Sequence, residues 1–125
     1  MYSHVVVGAK EIAVAQRFYD AIFSHMPLDE QGIDKFDRPF YRQGKQRFII
    51  TLPINGQPAT AANGGTIGFE LASSEAVYAW HQAGISHGGS SAESAPHIRE
   101  DGKCVAYLRD PTGNKLCAFY QTQGE

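Results

Sequence analysis

Apolar residues recur at helical spacing in two stretches of this chain, and most of the remainder reads as short apolar blocks separated by polar turns. Residues 2–8 (Tyr-Ser-His-Val-Val-Val-Gly) predict a buried strand, with Gly8 permitting a sharp exit. Over residues 10–24, Ile12, Ala15, Phe18, Tyr19, Ile22 and Phe23 fall three or four apart, which predicts an amphipathic helix. Its start is poorly capped, because Ala9 and Lys10 offer no short side-chain acceptor, although Glu11 suits the first turn. Pro27 ends it. Three strands are expected over 28–36, 39–43 and 47–52, then a loop over 54–65 and a strand over 66–71. A second helix over 74–83 is expected to be capped by Ser73 or Ser74 and stopped by Gly84. A short strand at 85–87, a long polar loop over 88–102 and a closing hairpin over 105–120 complete the chain. The hairpin turn places Asp110 first, Pro111 second and Gly113 fourth, the chemistry of a type I turn.

The order strand, helix, three strands occurs twice, and the residues repeat with it. A shift of 62 positions carries Val5 onto Ile67, Val7 onto Phe69, Ala15 onto Val77 and Phe18 onto Trp80, while His4 falls on Thr66. A period of half the chain indicates two copies of one supersecondary unit, each a βαβββ sheet with a helix on one face.

At 125 residues the chain suffices for one domain with an ordinary core. Its 11 basic and 13 acidic residues leave a net charge of −2, without a basic face to neutralise phosphates, so nucleic acid is not an expected partner. No apolar run reaches the length of a membrane span, and no signal-like segment precedes the first strand. Cys104 and Cys117 lie at different distances from the hairpin turn and are not expected to pair, which suits a reducing cytoplasm.

Taken together these features resemble the vicinal oxygen chelate superfamily, the glyoxalase, bleomycin-resistance and extradiol-dioxygenase group. The resemblance rests on Ser3-His4-Val5-Val6-Val7, Phe18-Tyr19, Gly65-Thr66-Ile67-Gly68-Phe69, and the hairpin Asp110-Pro111-Thr112-Gly113-Asn114-Lys115-Leu116-Cys117-Ala118, and it spans nearly the whole chain. Small uncharacterised bacterial members end in the same way. It implies an α+β fold of two βαβββ modules, about 1–58 and 62–122, forming a curved mixed sheet with a concave cleft in a single domain, 1–125. It also implies a homodimer, with the cleft either within one chain or between two.

Strand alternation turns Val5, Val7, Ile67, Phe69, Leu71, Leu116 and Ala118 toward the helices. The opposite parity, facing the cleft, takes in His4, Val6, Phe48, Ile50, Leu52, Thr66, Gly68, Glu70, Tyr107, Arg109, Cys117 and Phe119. Metal enzymes of the superfamily carry ligands on four strands, and by position these would be His4, Ile50, Thr66 and Cys117. Only His4 is a usual ligand. Ile50 cannot bind a metal, Thr66 is a poor donor, and a catalytic site needs about three protein ligands. Glu70 lies further along that strand, beyond the ligand position. No cofactor is therefore expected, with His4 and Cys117 the ligands if a divalent metal does bind.

Three functions stay open. One is binding of a small organic molecule in a largely apolar cleft, contacted by Tyr41, Ile50, Thr66, Glu70, Arg99, Tyr107 and Cys117. In this reading Arg99, from the long loop, meets a carboxylate or phosphate, and Tyr107 offers both a ring and a hydroxyl. A second is a metal-dependent lyase, isomerase or dioxygenase of the superfamily type. The third is a metal-free enzyme with His4 as general base and Arg99 or Tyr107 holding an oxyanion. A His4–Cys117 thiolate pair is a further chemical arrangement. Against these stand plainer roles: Cys117 as a small buried hydrophobe, His4 as a hydrogen-bonded neutral imidazole, and Arg99 as a solvated side chain.

Overall fold

The computed structural model of the protein describes residues 1–122. The first module comprises β1 (His4–Gly8), α1 (Ile12–Phe23), β2 (Glu30–Ile33), β3 (Pro39–Gln43) and β4 (Gln46–Thr51). The second comprises β5 (Ile67–Glu70), α2 (Ser74–Ser86), the two-residue strands β6 (Ser90–Ser91) and β7 (His97–Ile98), β8 (Lys103–Arg109) and β9 (Lys115–Gln121). Strand order is β1-β4-β3-β2 in one sheet and β5-β9-β8-β6 in the other, with β7 also on β8. In both modules the first strand runs parallel to the last, β1 beside β4 and β5 beside β9, and the other pairs are antiparallel. The chain is thus an α+β fold built from a repeated unit, with two open sheets.

The repeat read from the sequence is a repeat in burial. Ala15 and Val77 are both buried, and Phe18 and Trp80 are both fully buried, at equivalent places on α1 and α2. The helix-facing sides of both sheets converge with the two helices on one apolar core. Phe69 links the modules there, its ring 5.4 Å from that of Phe23 and 5.7 Å from that of Phe48.

Helix ends follow local chemistry. α1 begins at Glu11 with no side-chain cap, whereas the Ser73 hydroxyl accepts the Ala76 N–H at 3.0 Å to cap α2. Gly84 does not stop α2, and residues 85–87 do not form a strand: the helix runs to Ser86. The stop is Gly88, at φ +97°, with the Gly89 N–H returning 2.9 Å to the Gly84 carbonyl in a Schellman-type closure. Gly84 is instead a packing glycine, since a Cβ there would overlap Leu108 of β8. The strand expected over 28–36 is cut to Glu30–Ile33 because the Asp34 carboxylate accepts the N–H groups of Phe36 and Arg38 and closes a turn through Asp37, at φ +64°. The loop over 88–102 holds the short strands β6 and β7.

The Asp110 turn does more than reverse the chain. The Gly113 N–H reaches the Asp110 carbonyl at 2.9 Å, as a type I turn requires, and Gly113 takes φ +108°. The buried Asp110 carboxylate also accepts the Tyr19 hydroxyl of α1 at 2.6 Å. Asn114 Nδ2 donates to the Gly8 carbonyl at 3.1 Å, and the Lys10 N–H donates to Thr112 Oγ1 at 3.0 Å. The hairpin of module two is thereby clasped to the strand–helix junction of module one.

Candidate functional site

The register of β1 and β4 decides which side chains reach the open face of the first sheet. Val5 pairs with Phe48 and Val7 with Ile50, so these four share the helix-facing side. Ile50, expected in the cleft, is fully buried in the core, and Phe48 lies beside it. The block Phe48-Ile49-Ile50 is apolar on both parities, so alternation within it cannot fix the facing; the partner strand does. Tyr41 pairs with Phe48 and belongs to the same core. Its hydroxyl donates to Asp20 Oδ1 of α1 at 2.6 Å, and burial, then the Asp20 carboxylate, push its pKa well up. Neither Ile50 nor Tyr41 stands on the open face.

The open face of the first sheet carries His4 and Val6 on β1 and, in register beside them, Arg47 and Ile49 on β4. Phe40 and Arg42 of β3 follow, opposite Ile49 and Arg47. The Arg47 guanidinium lies over the Phe40 ring, 4.9 Å from its centroid. His4 Nδ1 shares a 2.7 Å hydrogen bond with Ser3 Oγ.

On the second sheet alternation assigns the faces as expected. Tyr107 pairs with Cys117, Gly68 with Cys117, and Glu70 with Phe119, all on the side away from the helices. Tyr107, Val105 and Ala92 form a small apolar cluster with Cys117 and Phe119 packed against it. The exposed Arg99 donates to the Tyr107 hydroxyl, and the Lys115 ammonium sits 5.4 Å from the Tyr107 ring centroid while pairing with Glu93. Burial pushes the Cys117 thiol up; the Arg99 guanidinium opposes the rise and Glu93 adds to it. A thiol so placed is protonated near neutrality. Cys104 points the other way, into the core, so the two cysteines lie on opposite faces of one hairpin.

A hollow of about 340 Å³ is lined by residues of both modules, from β1 and β4 and from the start of β5. His4, Arg47, Thr66 and Gly68 give it polar edges, and Val5, Phe48, Ile67 and Phe69 give it apolar walls. His4 and Arg47 also line a larger, shallower hollow of about 700 Å³ over the open face of module one. The structure thus brings His4 and Thr66 to one hollow and groups Arg99, Tyr107 and Cys117 on the second sheet. Glu70 is exposed beside Phe119. Arg47, Phe40 and Ile49 were not among the expected site residues; the signal for them was the cross-strand pairing with His4, which no single strand reveals.

Across these positions the donors are the His4 imidazole, a hydroxyl on Thr66, the Glu70 carboxylate and a protonated thiol, with Arg47 paired across the strands from His4. Among the described residues no three His, Cys, Asp or Glu side chains converge on one point. Spread in this way, that set does not fit a divalent cation, which needs about three suitable donors converging on one point.

Two βαβββ units joined through one core, with a hollow at their seam, define the glyoxalase-type class of fold. Comparison with solved structures agrees. A glyoxalase/bleomycin resistance protein from Albidiferax ferrireducens T118 is 45% identical, with a TM-score of 0.90 over 98% of this chain and 99% of that one. The chain therefore belongs to the glyoxalase/bleomycin resistance/dioxygenase family, within the vicinal oxygen chelate superfamily. A putative glyoxalase from Bacillus halodurans (18% identity, TM-score 0.77, covering 96% and 95% of the two chains) shares the fold. So does a lactoylglutathione lyase from Agrobacterium tumefaciens (18%, 0.68, 100% and 97%). No family model matches the sequence, and no curated protein does. Among the described residues no helix is long and apolar enough to cross a membrane.

Proposed function

We propose that this protein binds a small organic molecule in its cleft and does so without the divalent metal typical of the superfamily. The observation that carries the reading is the seam hollow, where His4, Arg47 and Thr66 edge walls of Phe48 and Phe69. Its volume of about 340 Å³ lies within the range of small-ligand sites, about 300–1,000 Å³. Apolar walls supply affinity, and a few placed polar groups supply orientation. The mismatch between donors and a divalent cation supports the metal-free part.

The test combines two measurements. Transition-metal content is determined on protein purified without chelators or a His-tag, and a small-molecule library is screened by thermal shift. Metal at background together with hits lost in His4→Ala and Thr66→Ala supports the reading. Near one metal per chain, lost in His4→Ala, overturns its metal-free part.

A second reading has its own observation. The Ser3–His4 hydrogen bond holds Nδ1 and leaves Nε2 free to take a proton, the arrangement of a general base. In that reading the protein is a metal-free enzyme with His4 as its base, while Arg99 and Tyr107 lie on the second sheet, outside the hollows that His4 lines. Turnover of a hit compound, abolished in His4→Ala while binding persists, selects it.

We also propose that the protein is a homodimer. Val6, Phe36 and Leu52 support it, being large apolar side chains left 43%, 66% and 59% exposed. Sedimentation equilibrium at micromolar concentration should give the dimer mass; a monomer throughout overturns this part. The two unpaired cysteines favour a reducing cytoplasm, and the net charge of −2 disfavours nucleic acid.

A further inference from the structure

The open face of module one carries more positive charge than its neighbours neutralise. Two acids line its hollow, and both are engaged: Asp34 with Arg38 at 2.9 Å and Glu30 with Arg42 at 3.0 Å. Among the described residues no carboxylate lies within ion-pairing distance of Lys45 or Arg47, which line the same hollow. Arg47 also makes no side-chain hydrogen bond there, so its five N–H donors are available. It is nevertheless not a freely waving side chain. Its guanidinium rests on Phe40, which is itself buried, and such a stack orients the planar fork. His4 stands directly across the strand pair, and the buried Ile49 continues the apolar floor.

We propose that Arg47, braced on Phe40 and flanked by His4, is a carboxylate-recognition site, and that the ligand of this cleft is a small organic acid with an apolar body. A guanidinium matches a carboxylate through two parallel N–H···O bonds, which gives orientation as well as affinity. His4 lines the same hollows as Arg47. The body of the acid lies against the apolar walls of the seam hollow that Arg47 and His4 also line. This inference rests on the small-molecule reading above and names its ligand class.

The experiment is calorimetric titration of the full chain with benzoate, with its neutral isostere benzamide, and with acetate, in wild type, Arg47→Gln and Arg99→Gln. The expected result is binding of benzoate over both benzamide and acetate, weakened by added salt. Arg47→Gln is expected to lose about tenfold or more in affinity, as for a charge-assisted bond. Arg47 is exposed, so the variant should fold, and its circular dichroism and melting temperature verify that. Equal binding of benzoate and benzamide, or an Arg47→Gln variant that binds benzoate like wild type, overturns the carboxylate site and leaves the small-molecule reading standing. A loss in Arg99→Gln alone moves recognition to the second sheet and equally overturns it. Absence of benzoate binding at millimolar concentration overturns it too, and the library screen then judges the broader reading by itself.

Discussion

Replacing Asp110 with alanine should cost far more than a turn residue ordinarily does. Its carboxylate accepts the Tyr19 hydroxyl at 2.6 Å, the N–H groups of Thr112, Gly113 and Asn114 at 2.9 Å each, and Asn114 Nδ2 at 2.8 Å. Tyr19 is fully buried, so in the variant its hydroxyl finds neither Asp110 nor water. An orphaned buried donor costs about 1–3 kcal/mol. The turn lies nearer solvent, and water recovers part of its loss, leaving about 1–2 kcal/mol more. The expected destabilisation is therefore about 2–5 kcal/mol, a large share of the 5–15 kcal/mol typical of a domain. Urea unfolding followed by the fluorescence of Trp80, the single tryptophan and fully buried, reads this directly. Tyr19→Phe should cost less, about 1–2 kcal/mol, and in that background Asp110→Ala should become milder because no hydroxyl is left orphaned. A loss under about 1 kcal/mol for Asp110→Ala, or strict additivity of the two changes, would refute the clasp.

Other expectations follow from the same contacts. Gly84→Val places a branched side chain where even a Cβ overlaps the fully buried Leu108, and should lower stability by about 1–3 kcal/mol in the same urea assay, whereas Gly44→Ala meets no neighbour and suffers only from its φ of +59°. Burial first, then Asp110 and Asp20 respectively, hold the phenols of Tyr19 and Tyr41 above their ordinary pKa in the folded state. The stability tied to them is complete below the unfolded tyrosine pKa, about 10, and is lost as pH rises beyond it, so tyrosinate absorbance from these two should appear only with alkaline unfolding. Titration of both at pH near 10 with the fold intact would contradict this. Burial of the half-exposed Cys117 keeps its thiol protonated, and Cys104 is inaccessible, so alkylation near neutrality should modify Cys117 slowly and Cys104 only after unfolding; mass spectrometry distinguishes the two.

Much of the architecture was legible because local signals and the repeat agreed. The helix spacing of Ile12 to Phe23, the Ser73 cap and the Asp110 turn each specify an element, and the half-chain repeat fixes how elements combine. What failed was long-range. Gly84 looks like a helix stop because glycine is a poor helix former, yet it serves a close approach to Leu108 that only the tertiary fold reveals. The open face was legible on the second sheet, where Tyr107, Cys117 and Phe119 alternate with Leu116 and Ala118. On the first sheet it was not, since Phe48-Ile49-Ile50 is apolar throughout and only its register with β1 turns Ile50 inward and sets Arg47 beside His4. Asp110 likewise read as a turn former, and its bond to Tyr19, 91 residues away, carries no local signature.

The claim that the seam of the two modules is a ligand site is tested most directly by amide NMR of the chain titrated with the strongest compound from the library screen. The account predicts saturable shifts centred on His4, Arg47, Thr66 and Gly68, on strands from both modules, and their loss in Thr66→Ala and His4→Ala. Shifts confined to the groove formed by Asn63, Gly64, Arg109 and Lys115, or no saturable binder in the library, would contradict it.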